Sequence, residues 1–340
     1  MNNLKLKKRR DVIVITGASA GIGRATARRF ARDGAKIGLL ARGLEGLEGA
    51  RQDVEMLGGE ALAVPTDVSS AEQIEAAASM IEERFGPIDI WINNAMVSVF
   101  SPVKEMQPEE YRRVTEVTYL GYVYGTLSAL RRMLPRNHGT IVQVGSALAF
   151  RGIPLQSAYC GAKHAVQGFT ESVRTELLHD RTNVWVTMVH LPASNTPQFN
   201  WVKTRLPRKP QPYPPVFQPE VPAEAIYYAA HHRRREMFVG WPTLKTVLGN
   251  RLAPGYVDHV LVKTGYEGQQ YNGLVAPGRQ DNLWQPVPND FGAHGDFDQQ
   301  AKSSSWLLYL DTHKKIITMG ISAIGALGLV FLRNYFVERS

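Results

Sequence analysis

The chain of 340 residues is long enough for one large α/β domain with additional segments. Its hydrophobic content of 44% and charged content of 21% are ordinary for a globular protein. The formal net charge of +8 comes from dispersed lysines and arginines without a basic stripe that alternates with aromatic residues, so we expect no nucleic-acid partner. The single cysteine, Cys160, excludes an internal disulfide and gives no sign of an oxidising compartment.

Short apolar runs alternate along the chain with segments of helical spacing. Strands are predicted at residues 12–16, 36–41, 61–65, 88–93, 139–145, 184–191 and 236–240. Helices are predicted at residues 24–33, 44–57, 71–85, 109–134, 159–178, 223–235 and 244–264. This alternation is typical of βαβ units, and the near-continuous apolar strands indicate a parallel sheet covered on both faces. The sequence therefore predicts an α/β fold whose ligand site lies at the carboxyl ends of the strands.

A glycine-rich turn directly follows the first predicted strand. Gly17, Gly21 and Gly23 have the spacing G-x-x-x-G-x-G. Glycine lets the backbone approach a pyrophosphate closely, and the N-terminus of the next helix offers free N–H groups. Alternatively, such a turn serves only to pack a helix on a strand. Arg42 follows the second strand, where an arginine accepts the 2′-phosphate of NADP and an acidic residue binds the ribose hydroxyls of NAD. Arg42 therefore favours NADP over NAD, the alternative being a solvated arginine.

Three polar residues further along have the spacing of an acid–base group. Tyr159 and Lys163 lie four residues apart on one predicted helix, and Ser146 follows the fifth strand. A nearby ammonium favours the phenolate, so we expect a lowered pKa for Tyr159. A tyrosine tuned in this way moves the proton of an alcohol oxygen while hydride moves at carbon, and Ser146 can hydrogen-bond the same oxygen. A Y-x-x-x-K pair by itself is more often a pair on a helix surface.

Over about residues 10–240 the sequence resembles the short-chain dehydrogenase/reductase family. The resemblance rests on T-G-A-S-A-G-I-G from Thr16 to Gly23, Asp67-Val68, Asn93-Asn94-Ala95, Ser146, Tyr159 and Lys163. It implies a Rossmann-type doubly wound parallel sheet, a bound nicotinamide cofactor and a homo-oligomer. It also implies Tyr159 as general acid/base, Ser146 as partner of the substrate oxygen, and Lys163 as ligand of the nicotinamide ribose. The cofactor-binding residues predicted in this way are Gly17, Ser19, Gly21, Ile22, Gly23, Arg42, Asp67, Val68, Asn94, Tyr159, Lys163 and Thr196.

The chain departs from the family pattern at three positions. Thr118 stands three residues before Gly121, where the family usually has an asparagine that helps a water connect the lysine to solvent. Met96 and Ala193 replace family glycines. Thr118 is kept as a candidate catalytic residue, acting by its hydroxyl or its backbone carbonyl, because the serine–tyrosine–lysine group itself is intact.

The C-terminal third differs in composition from the rest. Residues 200–222 contain seven prolines and the aromatics Trp201, Tyr213 and Phe217, and they fall where the family carries its substrate lid. These aromatics are predicted either to line an apolar pocket or only to pack a surface loop. Residues 266–305 are rich in Gly, Asn, Gln, Asp and Pro, and they are predicted to form an extended linker.

An uncharged run of 17 residues extends from Ile316 to Leu332 between two lysines and Arg333. This length is the lower limit for a membrane span, and the alternative is a buried or interfacial helix. The run is apolar all round, which favours a transmembrane helix. Positive residues before the span and a cofactor found inside cells then predict a single-pass protein whose catalytic domain faces the cytoplasm.

These observations combine into one domain layout and one function. The layout is a basic segment at 1–10, a Rossmann-type catalytic domain at 11–242 with its lid at 200–222, an extension at 243–312 and a membrane anchor at 313–340. The predicted function is an NADP-dependent oxidoreductase that interconverts a carbonyl and an alcohol on a small lipophilic substrate. The alternative is a membrane-tethered, cofactor-sensing scaffold with little turnover. No metal site is predicted, since the histidines fit a core position and a helix end.

Overall fold

The computed structural model describes residues 10–313. Its strands are β1 (Val12–Thr16), β2 (Lys36–Ala41), β3 (Glu60–Pro65), β4 (Ile90–Asn93), β5 (Val99–Phe100), β6 (Gly139–Ser146), β7 (Val184–Leu191), β8 (Lys203–Thr204), β9 (Arg208–Pro210), β10 (Glu236–Phe238) and β11 (Gln270–Leu274). Its α-helices are α1 (Gly21–Ala31), α2 (Leu44–Met56), α3 (Ala71–Phe85), α4 (Pro108–Thr115), α5 (Gly121–Met133), α6 (Ser157–His179), α7 (Gln198–Trp201), α8 (Glu220–His231), α9 (Trp241–Leu252), α10 (Pro254–Thr264) and α11 (Trp306–Thr312).

Seven of these strands form one parallel sheet in the order β10-β7-β6-β4-β1-β2-β3. All residues of β1 and β6 are buried, as expected for strands covered on both faces. Helices α1, α2 and α8 contribute to the hydrophobic core on one face, and α3, α5 and α6 contribute to the other. The predicted α/β fold with a Rossmann-type doubly wound sheet is therefore confirmed. The chain order reverses between β1 and β4, and this switch point opens a crevice at the carboxyl ends of the strands.

Two predicted helices differ in detail from the observed ones. The segment predicted as one helix at 109–134 is α4 and α5 joined by a π-helical turn at Glu116–Leu120. The segment predicted as one helix at 244–264 is broken into α9 and α10 at Ala253, which has φ −146°. The next residue, Pro254, lacks the N–H that a continuous helix would need and disfavours helical geometry at the residue before it.

The prediction of an extended linker at 266–305 is wrong. β11 pairs with β9 in an antiparallel ribbon, and Leu283, Ala293 and Phe297 are almost completely buried. Arg279 of this segment donates to the carbonyls of Phe199, Asn200 and Val202, and Arg113 of α4 donates to the Leu283 carbonyl. Composition indicated a polar, flexible segment, but a few well-spaced apolar anchors are enough to fix it against the domain.

None of the helices within residues 10–313 combines the length and the apolar character that crossing a bilayer requires. The run from Ile316 to Leu332, predicted as a transmembrane helix, lies outside the described residues, and so do most of the basic N-terminal residues.

Candidate active site

A cavity of about 750 Å³ opens at the carboxyl ends of the strands, where the fold predicts a ligand site. Most of the residues that the sequence singled out line this one cavity. They are Gly17, Ser19, Gly21, Ile22, Arg42, Asp67, Val68, Asn94, Ser146, Tyr159, Lys163 and Thr196. Two predicted site residues, Gly23 and Thr118, do not line the cavity.

The glycine turn is folded too tightly for side chains at two positions. Gly17 has φ +66°, and a Cβ at Gly23 would lie 2.1 Å from the carbonyl oxygen of Gly17. The Asn94 carboxamide braces the turn by donating to the carbonyl oxygens of Thr16 (3.0 Å) and Gly17 (3.2 Å). Gly21 and Ile22 at the N-terminus of α1 line the cavity, and a helix N-terminus is an arrangement that binds a phosphate group. The amide of Gly21 itself donates to the Gly292 carbonyl at 3.1 Å, which leaves the next amides of the first turn for a ligand.

Arg42 follows β2 directly and lines the same cavity as the glycine turn. Its guanidinium donates to the backbone carbonyls of Asn282, Leu283 and Trp284 (2.9 Å to Trp284). Burial and the neighbouring Arg113 lower the pKa of Arg42. The segment predicted as a linker thus contributes to the part of the cavity that the sequence assigned to the adenine end of the cofactor.

The Asp67 carboxylate is bound by other side chains and an amide of the protein itself. Its carboxylate accepts from Arg113 at 2.6 Å and from the amide and hydroxyl of Ser69 at 3.0 and 2.7 Å. These bonds hold the pKa of Asp67 below its usual value although burial opposes them. Arg113 is a residue that sequence reasoning missed, because nothing in its local sequence shows that α4 carries it to the end of β3.

Ser146, Tyr159 and Lys163 come together where β6 ends and α6 begins. The Ser146 hydroxyl accepts from the Leu148 amide at 3.1 Å, and the Lys163 ammonium lies 5.7 Å from the centre of the Tyr159 ring. Burial raises the pKa of Tyr159, an effect that the Ser146 hydroxyl partly opposes. The predicted lowering of this pKa is therefore wrong, because the loss of hydration is the largest influence on the phenol.

Lys163 is 2% exposed, and burial lowers its pKa to about 7. Its ammonium donates to the Tyr122 hydroxyl at 2.9 Å and to the Val144 carbonyl at 2.8 Å. Tyr122, which is fully buried on α5, is a second residue that sequence reasoning missed. The signal was present, since Tyr122 lies four residues after Thr118 on the same helical rod.

Thr118 makes contacts different from those predicted. Its hydroxyl donates to the Val97 carbonyl at 2.9 Å and accepts from the Val97 amide at 3.1 Å. Both bonds fix the loop after β4, and Thr118 is fully buried beneath the cavity wall. The structure shows no hydrogen bond from the Thr118 hydroxyl to Lys163.

The remaining cavity wall comes from the lid and the two helices after it. Trp201 and Tyr213 line the cavity as the pocket interpretation predicts, whereas Phe217 lies in the core. Helices α9 and α10 add apolar side chains such as Val257 and Leu261. Within the described part of the chain, no group of three or more His, Cys, Asp or Glu side chains is arranged to hold a metal ion.

A dinucleotide cradle joined to a serine–tyrosine–lysine group at one sheet edge defines a nicotinamide-dependent oxidoreductase. A family model described as short chain dehydrogenase matches residues 11–205. The chain belongs to this family of NAD(P)-dependent dehydrogenases and reductases, as the sequence motifs predicted.

Two curated relatives cover most of the chain. The chain is 37% identical over 284 residues to the uncharacterized oxidoreductase YxnA of Bacillus subtilis (strain 168), which covers 83% of this chain and 80% of the relative. It is 29% identical over 257 residues to a fatty acyl-CoA reductase of Acinetobacter baylyi (strain ATCC 33305 / BD413 / ADP1), with 75% and 84% covered.

Solved structures of the same fold contain either nicotinamide cofactor. A metagenomic short-chain oxidoreductase in complex with NADP has a TM-score of 0.58 and 26% identity, with 67% of this chain and 96% of the other covered. An NAD⁺-bound xylitol dehydrogenase has a TM-score of 0.53 and 32% identity, with 55% and 72% covered.

Proposed function

We propose that the chain is an NADP-dependent oxidoreductase that interconverts a carbonyl and an alcohol on a lipophilic substrate. One observation carries the proposal. The glycine turn and Arg42 line one end of a single cavity, and Ser146, Tyr159 and Lys163 line the same cavity. A bound nicotinamide supplies or accepts the hydride, so the protein has to position the substrate oxygen and move one proton.

The residues present fit such a cofactor. The turn at Gly17 and Gly23 leaves room for backbone only, and the amides that follow Gly21 in the first turn of α1 would hold the diphosphate. Arg42 supports NADP over NAD because a guanidinium binds the 2′-phosphate as a charged, multidentate donor. The Lys163 ammonium donates two of its three N–H groups to the protein, and the third would donate to the nicotinamide ribose.

In the reducing direction, the Tyr159 hydroxyl would give its proton to the carbonyl oxygen of the substrate. Ser146 would donate a hydrogen bond to the same oxygen, so negative charge forming there is stabilised from two sides. The Lys163 ammonium would stabilise the phenolate left on Tyr159, since burial makes an isolated phenolate costly.

The lining of the cavity supports an apolar substrate. Ile153, Phe199, Trp201, Val257 and Leu261 contribute to its walls, and apolar pockets bind ligands largely through buried apolar surface. One relative is described as a fatty acyl-CoA reductase, which is consistent with an apolar substrate.

The test is turnover of NADPH with a panel of lipophilic ketones and aldehydes. The wild-type protein is expected to oxidise NADPH with at least one of them, and Tyr159→Phe is expected to lose about 10²–10⁴-fold in kcat. Tyr111→Phe is the matched control because it removes a phenol hydroxyl bonded to Ser157 at 2.6 Å, away from the cavity. NADPH binding without turnover on any substrate would contradict the proposal and favour a cofactor-sensing scaffold.

Cofactor choice is tested separately. Arg42→Gln is expected to weaken NADPH binding by about 10–100-fold and to change NADH affinity by less than about threefold, as expected for loss of one charged phosphate contact. Equal effects on both cofactors would show that Arg42 acts only on the fold, through the carbonyls of residues 282–284.

We further propose that the run from Ile316 to Leu332 anchors the protein in a membrane with the catalytic domain on the cytoplasmic side. Its length and uniform apolar character support a span, and the lysines before it support this orientation. Deletion from Ile316 onward is expected to move the protein to the soluble fraction of a cell lysate, and unchanged membrane association would contradict the anchor. Members of the family are often oligomeric, and we propose a homo-oligomer, which light scattering of the purified protein tests.

A further inference from the structure

Helix α9 turns apolar side chains toward solvent. Trp241, Leu248 and Leu252 are 47%, 42% and 83% exposed, and they recur at the spacing of one helix face. The opposite face of the same helix buries Thr243 and Val247. A surface helix of a globular protein normally places polar residues on its outer face, so this outer stripe needs a partner.

Helix α10 continues the same surface beside the cavity. Val262 is 77% exposed, and the helix has no fully buried residue. Tyr256, Val257, Val260 and Leu261 on this helix line the cavity, and Tyr256 is 72% exposed at its rim. The helix pair therefore lines the cavity and also carries exposed apolar side chains that do not line it.

This surface is continuous with the base of the proposed anchor. The Trp241 ring stacks on that of Trp306 with 6.3 Å between their centres, and Trp306 is the first residue of α11. Tyr309 of α11 is 61% exposed. The chain leads from α11 through two lysines to the apolar run that begins at Ile316, so a bilayer entered there would lie next to α9.

The charges around the surface fit an anionic membrane. Lys245, Arg251 and Lys263 lie on the two helices, and of these Lys245 also lines the cavity. The acidic residue on these helices, Asp258, is paired with Arg151 of the cavity wall. Basic residues beside exposed aromatic and aliphatic groups are the composition of a helix that lies in the interface of a bilayer.

We propose that the outer face of α9 and α10, formed by Trp241, Leu248, Leu252 and Val262 and here called the α9–α10 face, rests in the headgroup layer of an anionic bilayer. A lipophilic substrate would then pass from the lipid into the cavity between these helices and the lid. The inference rests on the proposed function for its substrate and on the proposed anchor for its membrane, but contact with lipid is measurable without turnover.

The experiment uses the full chain on vesicles of phosphatidylcholine and phosphatidylserine. A bimane label is placed on Leu252→Cys and, as matched control, on Leu178→Cys. Leu178 is 70% exposed near the C-terminal end of α6, about 22 Å along the helix from Lys163, which lines the cavity. Cys160 is buried, and the unsubstituted chain shows how much label it takes up.

Lipids brominated along their acyl chains are expected to quench the label at position 252 strongly and the label at 178 weakly. Equal quenching at both positions, or none at 252 in protein that floats with the vesicles, would overturn the proposal. A label at 252 that is shielded from aqueous iodide but not quenched by lipid would also overturn it, and would indicate a second copy of the chain on this face.

A second arm separates this inference from the proposed function. Leu248→Ser with Leu252→Ser is expected to raise the KM for a ketone dissolved in the vesicles by about fivefold or more, because two apolar contacts with lipid are lost. The KM for a short, water-soluble ketone should stay within about twofold, since neither side chain lines the cavity. Absence of all turnover would overturn the proposed function, and the quenching result would still decide the face.

An independent observation concerns Lys163, whose ammonium is buried without a carboxylate partner. Burial is the influence that lowers the pKa of Lys163 within residues 10–313. The titratable groups that face it are Tyr122 on α5 and Tyr159 on α6. The Tyr122 hydroxyl donates to the Val144 carbonyl at 3.0 Å, so its free lone pair is left to accept from Lys163 at 2.9 Å.

The geometry assigns Tyr122 as the positioning residue of Lys163, in the place of a relay through Thr118. Because the Tyr122 proton is committed to Val144, the hydroxyl fixes both the direction of the ammonium and its hydrogen-bond partners. The Thr118 hydroxyl already makes two hydrogen bonds to the backbone of Val97. Tyr122 acts through Lys163 and does not line the cavity.

Tyr122→Phe keeps the ring and removes this acceptor. We expect kcat to fall about 10–100-fold, the ketone KM to change less than about threefold, and the loss of activity at alkaline pH to begin at lower pH because the ammonium is less stabilised. Tyr111→Phe should leave the pH profile unchanged. An unaltered profile in Tyr122→Phe would overturn the assignment. If the wild type shows no turnover, the pH dependence of NADPH binding, followed by fluorescence, gives the same test.

Discussion

The buried ion pairs of Arg24 fix the C-terminal segment to the nucleotide-binding half of the domain. The Arg24 side chain is 7% exposed, donates to Asp53 at 2.7 Å and also pairs with Asp290. Asp290 accepts from the Gly292 amide at 3.1 Å, and the Gly292 carbonyl accepts from the amide of Gly21 at the start of α1. We predict that Asp290→Ala destabilises the protein and releases this segment first.

The magnitude follows from the exposure of the three side chains. Breaking a buried ion pair costs about 3–5 kcal/mol when the remaining charge loses its only partner. Arg24 keeps Asp53, and Asp290 is 40% exposed, so screening by water reduces the loss to about 1–2 kcal/mol. For a domain of this size, that loss lowers Tm by about 2–6 °C.

Thermal unfolding and limited proteolysis measure the two effects. Asp296→Ala is the matched control, because Asp296 is exposed in the same segment. Cleavage within residues 279–298 should become faster in Asp290→Ala and not in the control. Equal Tm values and equal cleavage rates in the two variants would refute the reasoning.

Gly49 offers a second route to the same contact. A Cβ at Gly49 would lie 2.0 Å from a carboxylate oxygen of Asp290. Alanine in place of glycine inside a helix is normally worth about 1 kcal/mol. In the Asp290→Ala background we expect Gly49→Ala to provide most of this gain, because only the end of the Arg24 side chain, 2.9 Å from the new Cβ, has to shift. In the wild type we expect most or all of the gain to be lost, because the Asp290 carboxylate is displaced from Arg24. The same gain in both backgrounds would show that the pair contributes little.

Two further predictions concern the cofactor end and the buried lysine. Gly23→Ala places a Cβ 2.1 Å from the Gly17 carbonyl oxygen, so we expect the free energy of unfolding to fall by about 1–3 kcal/mol and NADPH binding to be lost. Chemical denaturation and fluorescence titration measure the two effects, and normal NADPH affinity would contradict the role of the glycine turn in binding the cofactor. Lys163 has a folded pKa of about 7, below its unfolded value of about 10.5, so the unfolded state binds the extra proton between these values and stability should rise across this pH window. Lys163→Met should remove that rise, and an unchanged pH dependence of Tm would contradict it.

The local chemistry of the site was predictable because it is encoded in short spacings. A glycine turn needs the absence of side chains at fixed positions, and an i, i+4 pair needs only a helix. The structure accordingly brings the turn, Ser146, Tyr159 and Lys163 to one cavity. Tyr122 was within reach of the same reasoning, because it lies one turn beyond Thr118, but its role depends on where α5 faces α6.

The sequence by itself determined the α/β class, the order of the strands and helices along the chain and the residues at the strand ends, because hydrophobic periodicity and glycine positions act locally. Only the tertiary structure decided the partners of Arg42, Asp67 and Lys163, since each is met by a segment distant in sequence. It also decided that burial raises the pKa of Tyr159, because hydration depends on every element packed around the phenol. The tertiary structure also decided that the polar segment predicted as a linker forms part of the cavity wall, because its packing depends on contacts with residues distant in sequence.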